Sequence, residues 1–96
     1  MTTRFLVRTV MLSDSITLLT ALQARGWRTD GGRDPVVQWE GPLTMHQQGQ
    51  CGAPAHILLN PETRTVGPIT SLPFPRDATV LPWDHFLYHV LAYNDY

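Results

Sequence analysis

The two histidines four residues apart, His85 and His89, are the sharpest chemical feature of the chain. At helical spacing they fall on one face, where two imidazoles can share a metal ion, as in H-E-x-x-H enzymes. The residues between them are Phe86, Leu87 and Tyr88, so the glutamate that serves such enzymes as general base is missing. A metalloprotease is therefore disfavoured. A bare metal site would need third and fourth ligands from His46, Cys51, His56 or Asp95. The plainer account is a pair of solvent-exposed histidines on a polar helix face.

Cys51 is the single cysteine, set between Gly49 and Gly52 with His46 and His56 five residues to either side. A thiol nucleophile needs a base to make thiolate and a group to orient that base. No protease or thioredoxin signature surrounds Cys51, so a small loop residue is the simpler reading. Together these residues define the enzymatic alternative: a small metal-binding or Cys/His-dependent enzyme using His85, His89, His46, His56 and Cys51.

Asp30-Gly31-Gly32-Arg33-Asp34 is glycine-rich but follows neither phosphate-binding pattern, and a carboxylate stands at each end, so it reads as a turn. Glu40, Glu62, Asp77, Asp84 and Asp95 show no spacing that pairs two carboxylates on one element. Arg25, Arg28 and Arg33 around Trp27 are the only basic residues grouped with an aromatic, and Asp30 and Asp34 dilute them. Only 16% of residues are charged and the formal net charge is −1. That leaves little field to gather phosphates, which argues against a nucleic-acid binder.

The elements that must position these residues are legible in part. Arg4 to Leu12 alternates with apolar residues on both sides, as an interior strand does. Ser13 to Trp27 predicts a helix: Ser13 or Asp14 as cap, Leu18, Leu19 and Leu22 as the buried stripe, and Gly26 as the left-handed residue after the last turn. Leu22 and Trp27 then stand where the contact pair of a Schellman motif belongs. Arg28 to Pro35 is a loop, and Val36 to Glu40 a short strand ended by Gly41-Pro42. Leu43 to His46 is a candidate strand. Asn60-Pro61-Glu62-Thr63 suits a type I turn between strands at His56 to Asn60 and Arg64 to Ile69, with Gly67-Pro68 breaking or ending the second. Ser71 to Pro82 carries three prolines and reads as an irregular connection. Trp83 to Tyr93 predicts a second helix with Trp83, Phe86, Leu87, Val90 and Leu91 on its apolar face.

The expected fold is a single α+β domain: a two-layer sandwich with a mainly antiparallel sheet of four to five strands and two helices on one face, in β-α-β-β-β-α order, with the ferredoxin-like arrangement as one form of it. A lone cysteine suits a reducing compartment, no run is long enough to span a membrane, and the segment around Arg4 and Arg8 does not read as a signal peptide. The expectation is a cytoplasmic protein without a cofactor. Trp27, Trp39, Trp83 and Phe86 are most simply core. Tyr88, Tyr93 and Tyr96, with His89, would occupy the outer side of the second helix, a common kind of docking surface. The sequence thus ranks first a non-enzymatic protein-binding module: a small adaptor or inhibitor of the kind phages and mobile elements encode. A homo-oligomeric domain comes behind it.

Overall fold

The computed structural model describes residues 4–48, 54–70 and 78–93, with 68–70 described by their backbone alone. The elements run β1 (Arg4–Thr9), α1 (Leu12–Ala24), α2 (Pro35–Gln47), β2 (Ala55–Asn60), β3 (Thr65–Thr70), β4 (Ala78–Pro82) and α3 (Trp83–His85). The last helix continues without a break into a π-helical segment, Phe86–Leu91. The sheet order is β3-β2-β1-β4. β2 lies antiparallel to both β1 and β3, whereas β4 runs parallel to β1. This is a small α+β domain with a four-stranded mixed sheet, and its element order differs from the β-α-β-β-α-β of the ferredoxin-like arrangement.

β1 is interior, as its two apolar faces predict. Val7 sits opposite Ile57, and Phe5 opposite Leu59, on the side that the helices cover. Leu6 and Leu58 alternate to the other side and are buried as well. Leu18, Leu19 and Leu22 of α1, Leu43 of α2, and Phe86 and Leu91 of the last helix complete one core with Trp27. Each such apolar side chain withdrawn from water contributes about 1.5–3 kcal/mol.

The end of α1 has the geometry its sequence predicts. Gly26 takes φ +88°. The Trp27 amide donates to Leu22 O and the Gly26 amide to Gln23 O, the two bonds of a Schellman motif. The start differs: Met11 is the N-cap, no side chain caps the helix, and Ser13 and Asp14 lie inside the first turn. The strand stops at Thr9, three residues earlier than its apolar pattern suggests, which lets the helix begin at Leu12.

The larger correction is α2. Val36 to Glu40 and Leu43 to His46 are not strands; one helix runs through both and through Gly41-Pro42. Val36, Trp39, Leu43 and Gln47 recur at helical intervals and turn inward, while Gly41 and Pro42 are exposed, so the carbonyl deprived of a partner by Pro42 lies on the wet side. Pro35 occupies the first turn, where a missing N–H costs nothing. Gly67-Pro68 does not end β3 but coincides with a register shift, an extra residue between the pairs Leu59–Val66 and Ile57–Ile69. Within the stretch read as irregular, Ala78–Pro82 is an edge strand, and residues 71–77 lie outside those described.

Three buried polar residues join β1 to both long helices. Ser15 Oγ donates to Gln47 Oε1 (2.7 Å), so Thr9 Oγ1 is the donor in the 2.6 Å bond to Ser15 Oγ. Gln47 Nε2 closes the ring by donating to Thr9 O and Oγ1, both at 3.3 Å. The 3.4 Å approach of Ser15 Oγ to Met11 O is then a weak shared contact. A closed ring at low dielectric strengthens each member, and losing one orphans two others. Ser15→Ala is expected to cost about 1–3 kcal/mol in urea unfolding, because Gln47 Oε1 loses its donor and the Thr9 hydroxyl the acceptor of its proton. The exposed Thr20→Ala on the same helix is expected to stay within about 0.5 kcal/mol of the parent.

Candidate functional site

The last helix is clamped on one side and open on the other. Phe86 and Leu91, five residues apart, are both fully buried. A π turn closes its hydrogen bond at i+5, so such residues come round to one side, where an α-turn would splay them. Phe86 packs against Phe5 (5.3 Å between ring centroids) and edge-on against Trp27 (6.5 Å, 88°). Trp83, Leu87 and Val90 pack on the rim of the core, so the predicted apolar face is the one that docks. Arg25 Nη1 donates to Leu91 O at 3.1 Å, capping the end of the helix from α1.

The opposite side carries Tyr88, 58% exposed, and Tyr93 just beyond the helix, 80% exposed. His85 and His89 are exposed on the same helix, their ring centroids 5.0 Å apart and their planes inclined by 34°. Tyr96 and Asp95 lie outside the described residues.

The second pair of histidines belongs to a different place. His46, near the end of α2, donates from Nε2 to Pro54 O at 3.0 Å. His56 on β2 sits across the register from Arg8. Its pKa is lowered, first by burial, then by the positive charge of Arg8, then by His46, so the two histidines are close enough to repel when charged. Cys51 lies outside the described residues. Among those described, no group of three or more His, Cys, Asp and Glu side chains is placed to hold a metal ion, so the two histidine pairs do not merge into one ligand set.

The glycine-rich loop is the turn its composition suggests. The Gly32 amide donates to Thr29 O, the Thr29 amide to Arg33 O, and the Arg33 amide to Thr29 Oγ1. Arg28 Nε pairs with Asp34 at 3.2 Å with both side chains about half exposed, worth at most about 1 kcal/mol. Trp27, at the centre of the arginine group formed by Arg25, Arg28 and Arg33, is fully buried and presents no ring on which a base could stack. Next to this loop an open groove of about 440 Å³ runs along Trp39 over Val66 and Gly67. Neither groove nor α2 was visible in the residue pattern; the inward run of Val36, Trp39, Leu43 and Gln47 was the available signal.

Comparison with protein-family models, with curated proteins and with solved structures returns no match. Among the described residues no helix is long and apolar enough to cross a membrane.

Two measurements probe this region. Gly67 takes φ +115°, and a Cβ there would stand 2.6 Å from Trp39 Cζ2. Gly67→Ala is expected to cost about 1–3 kcal/mol and to change the tryptophan fluorescence, with no such spectral change in a Trp39→Phe background. For His56, the unfolded chain titrates at the ordinary value of 6.5 and the folded chain lower. Unfolded chains therefore bind more protons, and stability falls as the pH drops through 6.5, levelling off below the depressed value. His56→Gln should remove that part of the slope in urea midpoints measured against pH.

Proposed function

We propose that the chain is a non-enzymatic protein-binding module, a small adaptor or inhibitor that engages another protein through the outer side of its last helix. The observation that carries this reading is the exposure of Tyr88 and Tyr93 beside His89, on a helix held by Phe86, Leu91 and the Arg25 cap. Tyrosine offers a large apolar body with a polar tip and few rotatable bonds, so it gains contact area at small entropic cost. A helix already fixed in the core loses little further freedom on binding. Low overall charge fits a partner met by shape and apolar contact rather than by long-range attraction. The lone Cys51 suits a reducing, cytoplasmic setting.

The test compares the parent chain with a Tyr88→Ala/Tyr93→Ala variant as bait in cell lysate, then titrates the captured protein in purified form. A partner retained by the parent and weakened at least about tenfold by the variant, with unchanged thermal unfolding, is the expected result. A second copy of the chain as the captured species would make it a homo-oligomer instead. Equal retention of every protein by both baits would overturn the proposal.

A further inference from the structure

The His85–His89 pair has a geometry that its spacing alone does not guarantee. A metal-bound imidazole nitrogen lies about 2.0–2.1 Å from the ion, which puts the ring centroid about 3.2 Å from it. Two rings on one ion then stand about 4.5 Å apart at a right angle, as in a square site, and about 5.2 Å apart at a tetrahedral angle. The centroid separation is 5.0 Å, inside that window, on side chains that are both exposed and so reachable from solvent. The backbone that spaces the rings is itself fixed, with Phe86 and Leu91 buried beneath it.

We infer that His85 and His89 form a two-imidazole chelate for a late first-row divalent cation, with the remaining coordination positions open to water or to a donor from another molecule. Neutral imidazole is a borderline donor that suits Cu2+, Ni2+, Zn2+ and Co2+, whereas Mg2+ and Ca2+ prefer oxygen. With two nitrogens and no further donor among the described residues, the metal order follows intrinsic affinity, Cu2+ before Ni2+ and Zn2+. Among the described residues no third side chain joins the pair. A two-donor chelate of this kind exchanges its metal readily, unlike a closed four-ligand structural site. This inference shares His89 with the proposed partner surface but does not rest on that reading, and titrating metal into the chain without a partner tests it alone.

The experiment titrates Cu2+, Zn2+ and Mg2+ separately into the full 96-residue chain by calorimetry. It is repeated with His85→Asn, His89→Asn, a His46→Asn/His56→Asn variant and Cys51→Ser. Far-UV circular dichroism checks each fold, and the nitrogen splitting of bound Cu2+ is read by electron paramagnetic resonance. One equivalent of Cu2+ is expected to bind more tightly than Zn2+, with Mg2+ silent and two nitrogen donors in the spectrum. Removing an outer-shell partner of a metal site already costs about 10–100-fold, so losing His85 or His89 itself should weaken Cu2+ by at least about tenfold. The other two variants should match the parent. Equal affinity in His85→Asn and His89→Asn, loss of binding in the His46→Asn/His56→Asn or Cys51→Ser chain instead, or no binding to the parent would each overturn the assignment.

Discussion

The left-handed turn at Gly26 is the constraint through which the rest of this fold is connected. By reversing the chain within one residue, it sends Trp27 back beneath α1, where the indole is fully buried against the edge of Phe86. The residue before it, Arg25, reaches the last carbonyl of the closing helix, and Arg28 after it bonds the backbone of Arg64 and Val66 at the start of β3. Three elements far apart in sequence thus meet at four consecutive residues. The backbone conformation costs glycine little and would cost a residue with a Cβ about 1–2 kcal/mol.

Around that junction the two ends of the helical layer are tied differently. One end is polar, where Thr9, Ser15 and Gln47 pass hydrogen bonds in a ring with every buried side-chain atom satisfied among the described residues. The other is aromatic, where Phe5, Trp27 and Phe86 interlock at tilted and edge-on angles. A ring of directional bonds tolerates only one relative placement of β1, α1 and α2, whereas aromatic packing supplies area with looser angular demands. Register is thereby set at the polar end and burial at the aromatic one. The outward residues of the last helix inherit a fixed position from the second.

What could be read from the sequence divides along the same physical line. The Schellman end of α1, the Asn60-Pro61 turn and the face shared by His85 and His89 depend on residues within a few positions of each other, and each is where local rules place it. Val36–Glu40 is helical despite the strong local break signal of Gly41-Pro42, because burial of Leu43 and Gln47, with Trp39 partly buried beside them, overrides it from outside the segment. β4 was hidden by prolines, which an edge strand tolerates at its end. The ring of Thr9, Ser15 and Gln47 spans 32 positions between its two helical members, so no window of sequence contains it. The π segment coincides with the joint burial of Phe86 and Leu91, five residues apart, a spacing that the helical pattern of the sequence does not announce.

The parallel pairing of β1 with β4 couples regions of the chain that polymer statistics would keep apart. Bringing Arg4 beside Ala78 closes a loop on the order of seventy residues, an entropic cost that no local contact offsets. Phe86 docks on Phe5 of the same first strand, so edge strand and last helix draw on a single closure event. The two elements therefore share one long-range anchor on β1, the kind of contact through which neighbouring segments are coupled. High contact order of this kind slows folding. It also ties the tyrosine-bearing face to the first strand, since the helix that presents it docks through Phe86 on Phe5 at the opposite end of the chain.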